Sequence, residues 1–131
     1  MTAHSILLDT NAYSRYLTHS EWKWQIQHAD RIFLPLFGIA ELKTGFLKGT
    51  RISENERILQ QFCSSPRVSI LFPDTLTASC YAEIYNQLRL QGTPIPINDV
   101  WIAALALQHG LNLCTSDSHF DHIPQLLRAL P

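Results

Sequence analysis

Apolar residues in this chain come in short blocks, and four of those blocks have the length of strands. Ser5 to Asp9, Arg31 to Leu34, Arg67 to Phe72 and Leu111 to Thr115 are each mostly apolar, without strict alternation. Continuous apolar runs of this length suit strands covered on both faces, as in a parallel sheet. The segments between them have helical signals. Ser53-Glu54-Asn55-Glu56 has the form of a capping box and predicts a helix carrying Ile58, Leu59 and Phe62 along one side. Asp74 or Thr75 opens another, in which Leu76, Cys80, Ile84 and Leu88 recur beside Tyr81 and Tyr85 until Gly92 stops it. A third runs from Asn98 to His109 and ends at Gly110. It is apolar almost all round, and Ala103, Ala104 and Ala106 let it lie close against a sheet, so it is expected to be central and buried.

Strands alternating with helices in this order predict an α/β fold, a three-layer α/β/α sandwich around a central parallel sheet of four to five strands with right-handed crossovers. The 131 residues have the size of one domain. No internal repeat or linker divides them. Thr93-Pro94-Ile95-Pro96 is too short to separate domains and instead stiffens the approach to the helix at Asn98. Residues 1–131 therefore read as a single domain.

Composition narrows the function classes. With 46% hydrophobic and 16% charged residues, intrinsic disorder is excluded. Ten Lys and Arg against eleven Asp and Glu leave a net charge of -1, so any nucleic-acid site must be local rather than a global basic field. The longest apolar runs, such as Val100 to Leu107, fall short of the ~20 residues of a membrane helix. The N-terminus has no signal-peptide pattern, so a cytoplasmic protein with no membrane association is expected. Cys63, Cys80 and Cys114 are odd in number and widely spaced among apolar neighbours, which predicts buried, reduced thiols.

Chemistry enters with the acids. In an open α/β sheet the binding crevice lies at the carboxyl ends of the strands. Asp9 closes the run Ile6-Leu7-Leu8, and Asp117 follows the run Leu111 to Thr115. Glu41 stands in the apolar stretch Ile39-Ala40-Glu41-Leu42, and Asp99 opens the buried helix in Ile97-Asn98-Asp99-Val100. Each has a structural reading. Asp9 and Asp99 would serve as helix N-caps, Asp117 would cap the C-terminal turn, and Glu41 would pair with Lys43, Lys48 or an Arg. Four acids gathered at one edge of a small sheet would instead repel one another unless divalent cations neutralised them, and hard oxygen ligands suit Mg²⁺ or Mn²⁺. A rival cluster is His119 and His122 with Asp117 and Asp121, an HxxH segment bracketed by acids that would suit zinc. Solvent exposure and turn hydrogen bonds are its alternative.

The motifs Leu7-Leu8-Asp9-Thr10-Asn11, Ile39-Ala40-Glu41-Leu42 with Gly45, Asn98-Asp99 with Trp101-Ile102-Ala103-Ala104, and Thr115-Ser116-Asp117 with Phe120 together resemble a PIN domain of the VapC toxin type. The likeness extends over nearly the whole chain. It implies a PIN-like fold and an endoribonuclease that binds Mg²⁺, with Mn²⁺ able to substitute, through Asp9, Glu41, Asp99 and Asp117. It also implies a homodimer, inhibition by a small VapB-like antitoxin, and an RNA substrate, often tRNA. Asn11 and Thr115 match positions that hold neighbouring acids or substrate by hydrogen bonds. Arg15, Lys43, Lys48 and Arg51 are the basic residues nearest in the chain to the first two motifs. They stand between RNA contacts and ordinary surface charge.

The expected mechanism follows from charge. Carboxylates alone repel both a phosphodiester and hydroxide, whereas metal ions reverse that sign and activate a bound water for in-line displacement. The expected products carry a 5′-phosphate and a 3′-hydroxyl, and either Glu41 or Asp99 would accept the water's proton. A haloacid-dehalogenase-type enzyme needs a second Asp where Asn11 stands, and a receiver domain needs a Lys near Asp117 that is absent. The alternative from another class is a non-catalytic PIN-fold module acting through a protein partner or a DNA complex. Trp22 or Trp24 would be its anchor, although residues two apart cannot share a helical face and one of them is expected in the core.

Overall fold

The computed structural model describes residues 4–131, so the first three residues of the expected 1–131 unit lie outside the described residues. Five strands form one sheet: β1 (Ser5–Leu8), β2 (Arg31–Pro35), β3 (Val68–Leu71), β4 (Asn112–Cys114) and β5 (Arg128–Ala129). Their order is β3-β2-β1-β4-β5, and every pairing is parallel. Six α-helices connect them: α1 (Thr10–His19), α2 (Lys23–His28), α3 (Leu36–Lys48), α4 (Ile52–Cys63), α5 (Thr75–Gln91) and α6 (Ile97–His109). A 3₁₀ turn spans Ser118–His122.

The central strand explains the layers. Every residue of β1 is buried, and its side chains alternate between two cores. Ile6 and Leu8 pack with Tyr13, Ile26, Leu42 and Leu59 of α1 to α4 and with Trp22, the residue just before α2. Leu7 points the other way and packs in a cluster with Leu113, Ile84, Leu88 and the α6 residues Val100 and Ile102 to Ala106. Each fully buried Leu or Ile stabilises the fold by about 1.5–3 kcal/mol on the transfer scale, so a strand with two cores admits no polar alternate. The result is the three-layer sandwich expected from the apolar blocks. Ala103, Ala104 and Ala106 of α6 are all buried, as their size allows close approach to the sheet.

Element ends show where local chemistry holds and where it yields. Asp74 forms a complete capping box: its carboxylate accepts from the Leu76 and Thr77 amides, and its own amide donates to the Thr77 hydroxyl. Gly92 and Gly110 close α5 and α6 in the left-handed region, at φ 73° and 61°. The box expected at Ser53 does not form. Helix α4 starts two residues earlier, with Arg51 rather than Ser53 at the N-cap, and Glu56 is drawn to Lys43 on α3 at 2.7 Å and Glu54 to Arg51. Strand β5 has no counterpart in the expected blocks. It is held from a distance, by the Trp22 Nε1–H donating to the Ala129 carbonyl at 2.9 Å and the Leu113 amide donating to Leu127.

The smaller expectations divide. All three cysteines are free, but only Cys114 is buried, while Cys63 and Cys80 are half-buried. Trp22 is in the core, whereas Trp24 is 56% exposed and stacks on His28 with ring centroids 4.5 Å apart.

Candidate active site

The chain leaves β1 outward to β2 and β3, then returns to β4 on the other side of β1. Connections at the carboxyl ends of β1 and β4 therefore diverge, and such a switch point opens a crevice. Asp9, the residue after β1, sits at its floor. It caps α1 by accepting from the Ala12 amide at 2.8 Å, and its other oxygen accepts from the Thr115 hydroxyl at 2.5 Å across the strand gap. Only 5% of Asp9 is exposed. Loss of water outweighs both hydrogen bonds, and nearby Asp117 and Asp99 add repulsion, so its carboxyl is pushed up to about 6.

Asp117 reaches the same crevice from the end of β4. Its amide donates to the Thr115 hydroxyl at 3.0 Å, and its carboxylate accepts from the His119 amide at 2.9 Å, capping the 3₁₀ turn. Asp99 comes from the first turn of α6. It is not the N-cap, since Pro96 occupies that position without a side-chain bond, so its carboxylate is left to face the crevice near the positive end of the helix. Burial raises its pKa first, with Asp117 adding to the rise and a hydrogen bond from His119 opposing it. Asp99 in turn raises Glu41, whose carboxyl is lifted first by partial loss of water. Glu41 is exposed on α3 and accepts a hydrogen bond from the Thr10 hydroxyl at 3.4 Å. Among the described residues it forms no ion pair, in contrast to the Lys or Arg pairing weighed for it.

His119 links the acids. Its Nδ1 lies 2.9 Å from Asp99 Oδ2 and 3.0 Å from Asp117 Oδ1. One donor atom from each of Asp99, Asp117 and His119 lies within 4.8 Å of the other two. Hydrogen bonding to Asp99 is the main cause that raises the His119 pKa. Carboxylates that lift one another's pKa at a strand-end crevice are a donor set that fits a divalent ion, with oxygen ligands of the kind Mg²⁺ and Mn²⁺ favour.

The zinc arrangement weighed for the HxxH segment does not assemble. Asp121 is bound to Arg128, His122 is exposed, and only His119 joins the acids. The supporting and basic candidates also separate. Thr115 bridges Asp9 and the Asp117 amide, whereas Asn11 is exposed on the first turn of α1 with no side-chain hydrogen bond among the described residues. Arg15 is paired with Glu21, Lys43 with Glu56 and Arg51 with Glu54. Lys48 lines an open cleft of about 500 Å³ with Phe37, Glu41, Thr44 and Asn98.

Two contributors were not assigned to this site from the sequence, Thr10 standing only within the Asp9 motif and His119 only in the rival HxxH cluster. Thr10 directly follows Asp9, and that adjacency was its only signal. His119 stands two residues past Asp117, but its partner Asp99 lies 20 residues away, so its contact exists only once α6 has packed.

Known proteins agree with this architecture. The sequence profile of the PIN domain matches residues 6–126. The chain is 30% identical over 88 residues to Ribonuclease VapC4 of Mycobacterium tuberculosis, covering 67% of this chain and 68% of that protein. It is 31% identical over 122 residues to Toxin FitB of Neisseria gonorrhoeae, covering 86% and 88%. Its fold superposes on VapBC-1 from nontypeable Haemophilus influenzae with a TM-score of 0.85 and 26% identity, covering 95% and 96%. A match spanning nearly every element from β1 to Leu126, joined to relatives matched over two thirds or more of their length, leads to one conclusion: the chain belongs to the PIN domain family, on its VapC side.

Proposed function

We propose that this chain is a divalent-metal-dependent endoribonuclease, the toxin of a toxin-antitoxin pair, in which Asp9, Glu41, Asp99 and Asp117 hold the metal and carry the chemistry. The observation behind this reading is the coupling of acids in one crevice: Asp9, Glu41 and Asp99 are each raised by burial and by at least one of the others or Asp117. A bound Mg²⁺ or Mn²⁺ ion would supply the positive charge that lets a phosphodiester approach such a pocket, and would lower the pKa of a coordinated water.

The chain's own groups divide the remaining work. Thr115 and the Ala12 amide fix both oxygens of Asp9, so its orientation is set before any ligand arrives. Thr10 steadies Glu41, whose exposed carboxylate at the edge of the cleft is accessible to a water and its proton, with Asp99 the other candidate base. Asn11 keeps its amide open to substrate on the same turn. Lys48 is the basic side chain best placed for an RNA phosphate, because it lines the cleft beside Glu41 and Asn98. Arg15, Lys43 and Arg51 would first have to leave their ion pairs. Hydrolysis by this route leaves a 5′-phosphate and a 3′-hydroxyl.

Relatives support the biological setting. They include proteins named as ribonucleases and as a toxin, and the fold neighbours include VapBC from Salmonella typhimurium bound to DNA and FitAcB from Neisseria gonorrhoeae. On that basis one partner is a VapB-like antitoxin, and the resemblance of the sequence motifs adds a second copy of the chain in a homodimer and tRNA or another structured RNA as substrate. A cytoplasmic location goes with this reading. No helix among the described residues is long and apolar enough to cross a membrane.

The test combines metal binding with RNA cleavage. Mn²⁺ titrated into the purified protein should raise its melting temperature, and RNA incubated with it should acquire new 5′-phosphate ends, readable by end sequencing. Asp9→Asn should lose both responses. Identical melting curves for the two proteins with intact RNA would favour the non-catalytic partner-binding module instead.

A further inference from the structure

His119 is the one basic side chain that hydrogen-bonds to any of the four acids among the described residues, and a single nitrogen meets two of them. Its Nδ1 stands 2.9 Å from an Asp99 oxygen and 3.0 Å from an Asp117 oxygen. Neighbouring ligands of an octahedral ion with bonds of about 2.1 Å are about 3.0 Å apart, and opposite ones about 4.2 Å. Separations of 2.9, 3.0 and at most 4.8 Å among the three donor atoms thus come within a small adjustment of shared coordination. The imidazole is also held in place. Its own amide is bound to Asp117 at 2.9 Å, and the next residue, Phe120, is 1% exposed and anchors the 3₁₀ turn in the core.

We propose that His119 Nδ1 is a direct metal ligand beside Asp99 and Asp117, which makes the centre a mixed nitrogen and oxygen site selective for Mn²⁺ over Mg²⁺. This rests on the reading of the acids as the metal pocket and goes beyond it by naming a ligand and a metal preference. Imidazole suits transition ions, whereas Mg²⁺ favours oxygen donors and keeps its waters. The exchange balances simply. When the ion enters, the Nδ1–H electron pair becomes the nitrogen–metal bond and the proton passes to water, to which the ring, 44% exposed, has access.

The decisive experiment is pulsed electron paramagnetic resonance on the metal-free, full-length protein titrated with Mn²⁺, with Mn²⁺ and Mg²⁺ affinities measured alongside by calorimetry. The wild type should show coupling of Mn²⁺ to a nitrogen nucleus, which changes in the expected way when histidine is ¹⁵N-labelled. In His119→Asn the coupling should vanish, and Mn²⁺ affinity should fall by about tenfold or more, since even outer partners of ligands are worth 10–100-fold. Mg²⁺ affinity should change far less. Far-UV circular dichroism and a second variant, His119→Gln, check that the fold persists. Bound Mn²⁺ without nitrogen coupling, or equal losses for both ions, would overturn the proposal and leave His119 as an outer hydrogen-bond partner. Absence of any Mn²⁺ binding by the wild type would overturn it together with the metal reading of the pocket.

Discussion

Asp9 and Asp74 hold the same post in two parts of the molecule. Each follows a strand, β1 in one case and β3 in the other, and each caps the next helix by accepting backbone N–H bonds. Their electrostatics are opposite. Asp74 is exposed and accepts from Thr77, Leu76 and the Gln108 side chain, with the Thr77 amide the main cause that holds its pKa below the usual carboxylate range. Asp9 is buried, shares its crevice with Asp99 and Asp117, and is pushed up to about 6. Helix capping is therefore compatible with a purely structural acid and with a poised one. The distinguishing features are loss of solvent and the gathering of like charge, which depend on where the sheet brings the strand ends together.

The largest effect should appear when the two regions are compared by function. Asp99→Asn is expected to lower RNA cleavage by more than about 100-fold, beyond the upper range for losing an outer partner of a metal ligand. Asp74→Asn should leave cleavage within the scatter of the assay. Both variants should remain folded by circular dichroism. If Asp74→Asn lost cleavage as severely, the contrast between the two caps would be void.

A pH series without metal gives the next largest effect. A carboxyl raised in the folded state binds its proton more tightly than in the unfolded chain, so its contribution to stability is full below the unfolded value of 3.8 and disappears as pH rises through about 6. For Asp9 the cost of ionisation at neutral pH is about 3 kcal/mol as an order of magnitude, from about 1.4 kcal/mol per pH unit. Urea midpoints of the wild type in a chelator should fall between pH 4 and 6.5, with Glu41 and Asp99 contributing in the same direction. Asp9→Asn should flatten much of that slope and be more stable than wild type at pH 7. An unchanged slope would mean that Asp9 is solvated in the folded chain.

Adding metal should reverse that penalty. At a concentration 100 times its dissociation constant, Mn²⁺ should stabilise the wild type by about 2.7 kcal/mol, and Asp99→Asn by much less. The readout is the urea midpoint at pH 7.5 with and without the ion. Equal stabilisation of both proteins would place the ion elsewhere.

Legibility of the sequence follows the range of the interaction. Asp9 and Asp117 could be located because an apolar run ends beside each, and the four longer strands because each is a mostly apolar block, even at the edge strand β3, where Ile70 is exposed. The two-residue β5 could not, as Trp22 and Leu113 hold it from far along the chain. The misplaced start of α4 has the same origin: Lys43 on the preceding helix outcompetes a local capping box for Glu56. At the candidate site, Asp99 and Glu41 stood out as acids in apolar surroundings, but nothing local ties them to β1. His119 was readable only as half of an HxxH pair, since its contact with Asp99 is created by packing.

The smallest expected effect tests the structural half of the comparison. Asp74→Ala removes the acceptor for the Leu76 and Thr77 amides and for Gln108, which joins α5 to α6. Loss of such a cap should lower the melting temperature by about 3–6 °C. Because Asp74 is exposed, water replaces some of what is lost and keeps the change modest. Combining it with Asp9→Asn should give the sum of the separate shifts, because the two caps share no hydrogen-bond partner and distant sites add. A non-additive pair would show that α5 and α6 transmit strain to the crevice through Asp99 at the start of α6, and the two regions would then have to be treated as one.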